Sequence, residues 1–325
     1  MARARGICLL LCLCLALAGC SRTAFVYNRL DFLLPWYIQG YADLNGEQEA
    51  YLDELLAPLL AWHRSRELPC YVLLLDDLEA ALGEQTLSGE DIAARVTRLE
   101  EAWSRLETRG LDRLLALGSQ LSDAQIEEFL AELDSRHEAL EEEYLPRDDD
   151  EFFADSYDAM LDTAEDYMGR LQASQREALM TGSRKLKRVD ALWLAERAVF
   201  LQRLEALLES RKPGWQQGVR DLIASRAESV SAEYAKALDY NIDILQGLAA
   251  EVLNTRSERQ DTHLRNRFAQ LKNDFSKLAA QAVDVDEAQC LAAMATPDSQ
   301  ISLVTTEGQS WASGNIAGGV TQAAR

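Results

Sequence analysis

Bases are scarce in this chain of 325 residues: 33 Lys and Arg stand against 54 Asp and Glu, for a formal net charge of −21. Nucleic acid and anionic lipid surfaces are held through positive footprints, so the balance speaks against either as a broad partner. Histidine is scarcer still. His63, His137 and His263 are the whole set. None has HExxH spacing and none has a Cys two or three residues away, so neither a metal site nor metal catalysis is expected. The G-x-S-x-G elbow, the P-loop and the G-x-G-x-x-G turn are all missing. No catalytic residue and no cofactor follow from the sequence. Only six prolines occur, with none between Pro213 and Pro297, which leaves a long stretch without helix breakers. Alternating β-branched residues punctuated by Asn-Gly, the mark of hairpins, are absent as well.

What is present is helical periodicity. Ile92, Val96, Leu99, Trp103 and Leu106 step by four and three, and so do Ile126, Leu130, Leu133, His137, Leu140 and Tyr144. Leu238 to Val252 and Leu264 to Leu278 repeat the pattern. Such stripes define amphipathic helices packed at coiled-coil-like spacing. The fold class is therefore all-α: a bundle of amphipathic, antiparallel helices. Starts are expected near Gly46 (with a kink at Pro58), Pro69, Gly89, Asp123, Asp148 and Pro213, with a long helix over 173–210 and a turn within 254–262. "YVLLLDDL" has the composition of a buried strand, but the preceding Pro69 and the acidic continuation favour helix.

The N-terminus sets the compartment. Arg3 and Arg5, an apolar run over Ile7–Ala16, then Leu17-Ala18-Gly19-Cys20 resemble a bacterial lipoprotein signal with its lipobox. That resemblance implies cleavage before Cys20 and lipidation of its thiol. Ser21, rather than Asp, implies the outer membrane, on its periplasmic side. The divisions are a signal peptide over 1–19, an anchor and aromatic juxtamembrane segment over 20–44, a helical domain over 45–295 (as one unit or two subdomains), and a flexible tail of small polar residues over 296–325.

Loss of the signal leaves Cys70 and Cys290 as the thiols beyond the anchor. In an oxidising periplasm they either pair across more than two hundred residues or stay buried and inert. Glu127–Glu151 carries twelve acids with Arg136 and Arg147 as its only bases, a solvated helix face; without a glycine, "RDDDEFFADSYD" is no EF-hand. Arg184, Lys185, Lys187 and Arg188 form a basic patch, open to two readings: docking onto the surplus carboxylates, or binding an anionic polymer. Phe25, Tyr27, Phe32, Trp36, Tyr37 and Tyr41 crowd beside the anchor. They suit either a bilayer interface or another partner, or a segment docked into the core.

"YNRLDFLLPW", "YADLNGEQ" and "LAWHRSRELPCY" together resemble an uncharacterised family of proteobacterial lipoproteins, a domain of unknown function. The resemblance implies a lipid-anchored helical periplasmic domain and carries over no activity. "LNGEQ", "LSDAQ" and "LQASQ" show a faint likeness to the LTxxQ signature of periplasmic chaperones. All three lack its Thr, and they read better as helix starts capped at Asn45 and Ser122, like Ser88 in "LSGEDI". "LQASQ" has no good cap of its own. The expected function is a non-enzymatic binding or scaffolding domain engaging an unidentified envelope protein or polymer. The alternatives are a holdase-like or steric chaperone, and a hydrolase whose carboxylates come from distant helices.

Overall fold

The computed structural model describes residues 22–83 and 86–282, and these are helical with no strand among them. Two short N-terminal helices, α1 (Arg22–Tyr27) and α2 (Leu30–Gln39), precede α3 (Gly46–Trp62). A five-residue π-turn, His63–Glu67, joins α3 to α4 (Leu68–Ala81). Then follow α5 (Gly89–Gly118), α6 (Asp123–Tyr144), α7 (Asp149–Met168), α8 (Ala173–Ser183), α9 (Asp190–Ser210), α10 (Trp215–Ala224), α11 (Ala232–Asn254) and α12 (Glu258–Ala279). The strand-like "YVLLLDDL" is helical, inside α4. Cys20, Cys290 and the tail over 296–325 lie outside the described residues.

The starts follow from local chemistry. Asn45, Ser88 and Ser122 each accept from the backbone three residues on, and the side chains of Gln48, Asp91 and Gln125 reach back to the cap. Asp148 and Ser257 repeat the arrangement with Glu151 and Gln260. Such reciprocal boxes satisfy first-turn donors that the helix leaves orphaned.

The glutamines of these boxes also pair with one another, which sequence reading missed. Gln48 and Gln125 exchange amide hydrogen bonds of 2.9 and 2.7 Å, tying the start of α3 to that of α6. Gln260 donates to Gln175 at 2.9 Å, tying the start of α12 to that of α8. Each amide has further partners. Gln48 donates to the carbonyl of Gln120, Gln125 to that of Asp43, Gln175 to that of Val252, and Gln260 to that of Arg170. "LQASQ" thus owes its fixed start to Gln175, whose Oε1 accepts from the Gln172 backbone at 2.8 Å.

Apolar packing joins four neighbouring groups. The largest buries Leu75, Met168, Leu171, Leu179, Val252, Leu264 and Phe268, from α4, α7, α8, α11, α12 and the α7–α8 turn. A second packs Leu52, Leu56 and Leu59 of α3 on Leu117 of α5, with Leu34 and Ile38 of α2 against it. A third joins Leu115, Ile126, Leu208 and Val219 of α5, α6, α9 and α10. A fourth sets Leu68 and Leu278 against Ala24, Tyr27 and Tyr71. Helix α5, 30 residues long and therefore about 45 Å, contributes to the second and third groups and also packs along α11.

Two boundaries differ from expectation. The single helix expected over 173–210 is broken between Ser183 and Asp190. The Asn241 amide clasps both the N–H and the carbonyl of Lys187 at 2.8 Å, and Arg188 donates to the carbonyls of Tyr144 and Leu145. Backbone groups that a helix would consume are thus given to neighbours. Pro58 lies within α3, and the irregularity comes later, in the π-turn. Pro69 has no N–H to return to the carbonyl of Ser65, so the ladder widens there and Leu68 bonds His63 instead.

Candidate functional site

The π-turn gathers the polar network that is buried deepest beside the N-terminal helices. Tyr27 of α1 bonds His63 Nδ1 at 2.9 Å, and His63 Nε2 lies 3.2 Å from the hydroxyl of Tyr71 on α4. The Arg64 guanidinium covers the Tyr27 ring. One turn along, Glu67 is buried and takes both arms of Arg105 from α5, Nε to Oε1 and Nη2 to Oε2, each at 2.9 Å. Burial pushes Tyr71 up to about 12, with Glu67 adding to the effect. Both nitrogens of His63 and both oxygens of Glu67 are occupied by protein groups. The arrangement is that of a clamp holding α1 against α4 and α12.

Burial pushes His63 below its ordinary value, while Glu67 pulls the other way. A histidine depressed by folding is protonated first in the unfolded chain, so stability falls as pH drops through about 6.5 and below. We expect the urea midpoint to fall more between pH 7.5 and 5.5 in the natural chain than in His63→Gln. Equal falls would show that this ring does not sense the change.

The aromatic segment divides between the two expected placements. Tyr27 enters the clamp. Tyr41 packs against Phe129, with the Arg136 guanidinium 4.1 Å from its ring centre, and burial with the Tyr37 hydrogen bond pushes it up to about 12. Leu34 and Ile38 join the core. The opposite side is left to solvent: Phe32 is 67% exposed, Trp36 66%, Phe25 54% and Tyr37 53%. Asn28 and Asp31 are exposed too, so neither needs a buried partner.

The basic patch is likewise divided. Arg188 is committed to Asp190 at 3.0 Å and to the carbonyls named above. Lys187 lies 4.3 Å over the Tyr240 ring, and Arg184 and Lys185 are exposed. In the acidic stretch, Arg147 reaches Asp155 and Asp190, and Arg136 reaches Glu132. His137 sits 3.5 Å from Glu141, and His263 lies against Gly169. Among the described residues no group of His, Cys, Asp and Glu is arranged to hold a metal ion. Cys70 is disulfide-bonded. A cleft between α9, α10 and the start of α11 is lined by Trp193, Arg197, Phe200, Arg203, Arg226 and Tyr234; Arg226 is bound there to Glu107 at 2.7 Å.

The π-turn clamp and the glutamine pairs define a helical domain whose polar interior fastens helix to helix. The chain belongs to a family of unknown function, DUF6279, whose model matches residues 40–235. The match takes in His63, Glu67, Arg105 and the Gln48–Gln125 pair, and leaves out Tyr27 on one side and Gln260 on the other. No curated protein and no solved structure matches the chain.

Proposed function

We propose that this protein is a lipid-anchored bacterial envelope protein, held through Cys20 on the periplasmic side of the outer membrane, whose helical domain binds a protein partner without catalysing a reaction. The observation that carries the binding role is an apolar stripe on α5. Leu99, Trp103 and Leu114 are each about half exposed or more, at 56%, 53% and 50%. At 100° per residue they fall within an arc of about 60°, so they form one face. Leu99 and Trp103 lie one turn apart and Leu114 about three turns further on; large apolar side chains left exposed along one side of a folded helix suit an interaction site, and aromatic anchors carry much of the energy of such contacts. The clamp adds to the reading: Tyr27 lies only seven residues beyond Cys20, so the domain is fastened close to its anchor.

A photoreactive side chain at Trp103, in cells, should give a discrete light-dependent adduct with a second protein. The same group at the exposed Glu138 of α6 should give none. No adduct at Trp103, or the same products at both positions, would overturn the assignment of this face.

A further inference from the structure

We infer that Phe25, Phe32 and Trp36 form a bilayer-contacting face, lying in the interfacial layer of the membrane to which Cys20 is anchored. This rests on the lipid-anchor reading above and adds a second, non-covalent contact with the same membrane. Phe32 and Trp36 lie one turn apart on α2 and Phe25 lies on α1; all three are exposed, while Tyr27, Leu34 and Ile38 are held against the core and Tyr41 against Phe129. An amphipathic element with its inner face already occupied presents its outer face to something else.

Position selects the bilayer as that occupant. Helix α1 begins at Arg22, two residues after Cys20, and Phe25 is the fifth residue after Cys20. Even fully extended, this stretch reaches only about 17 Å, so acyl chains on Cys20 keep the headgroup layer within reach of Phe25, and Phe32 and Trp36 follow on the next helix. Charge agrees. Between Cys20 and Ala42 the chain has one acid, Asp31, against Arg22 and Arg29, in a protein otherwise dominated by acids. Arg29 stacks over Phe25, 4.9 Å from its ring centre, placing a cation at the edge of the face, where phosphate groups would lie. Trp36 has the apolar body and polar N–H that suit this layer, and Phe25 and Phe32 add apolar area of the kind that buries at the headgroup–acyl boundary. Among the described residues no helix is long and apolar enough to cross a membrane, so the contact argued is an interfacial one.

The test uses the full chain purified from membranes and reconstituted into phosphatidylethanolamine–phosphatidylglycerol vesicles with acyl chains brominated near the headgroup. Tryptophan fluorescence should be quenched relative to unbrominated vesicles. Trp36→Phe, a change at an exposed position, should reduce the quenched signal at least twofold while the helical circular dichroism is unchanged. Undiminished quenching in Trp36→Phe, or no quenching in the natural chain, would overturn the inference. So would a dimer in detergent that Trp36→Ala dissociates, since a second copy would then cover the face. Mass spectrometry of the Cys20 peptide reports on the anchor separately. Acylated Cys20 with unquenched Trp36 defeats the aromatic contact alone. Quenched Trp36 beside an unmodified Cys20 defeats the anchor and leaves the aromatic contact standing.

Discussion

Gln175→Leu should lower the unfolding free energy by about 3 kcal/mol, among the larger effects of any single substitution in this protein. Leucine nearly matches the volume, so the loss is polar. Gln175 is 1% exposed. Its oxygen accepts from the Gln172 backbone and from Gln260, and its nitrogen donates to the carbonyl of Val252. Removing it strands part of Gln260, itself 3% exposed, and an orphaned buried donor or acceptor costs about 1–3 kcal/mol. The melting temperature should fall by roughly 6–12 °C. Gln48→Leu, in the more open pair, should cost less, about 1–2 kcal/mol. The double change Gln175→Leu with Gln260→Leu should cost less than the sum of its parts, because the Gln175–Gln260 hydrogen bond is then lost once, with neither side chain of the pair stranded by the other's removal. A Gln175→Leu chain melting within a degree of the natural one would show that the pairing contributes little.

These glutamines also show how much the sequence reveals. Periodicity in α5, α6, α11 and α12 is enough to give these helices and the all-α class, and the cap residues Asn45, Ser88 and Ser122 give the starts of α3, α5 and α6. Pairing between Gln48 and Gln125, 77 positions apart, is long-range and leaves no local trace; each pentad on its own looks like an ordinary capping box. The break at 184–189 is hidden for the same reason, since Asn241 makes it from another helix. "LAWHRSRELPCY" stands out in the chain through its resemblance to a family. That His63 meets Tyr27 and Tyr71, and that Glu67 meets Arg105, depends on the π-turn and on α1 and α5 arriving beside it. The aromatic segment is legible as unusual, but its two roles separate only when the backbone turn at Asn28–Arg29 fixes which rings face inward.

The Glu67–Arg105 pair should respond asymmetrically to loss of its two members, and the asymmetry follows from exposure. The Glu67 side chain is 4% exposed and that of Arg105 34%. Arg105→Leu strands a carboxylate with little access to water, and should cost about 4 kcal/mol at neutral pH. Glu67→Leu strands a guanidinium that is already one-third wet, and should cost about 2 kcal/mol once solvent screening is allowed for. The double change Glu67→Leu with Arg105→Met should return close to natural stability, since well-packed apolar residues commonly replace a buried ion pair without loss. Urea unfolding of the natural chain, the two single variants and the double variant at neutral pH measures this. Equal penalties for the two single changes would mean that the pair acts as an exposed one. In the expected case Glu67 is a buried charge tolerated for what it positions: it fixes α5 against the π-turn that carries His63, whose ring holds Tyr27 of α1.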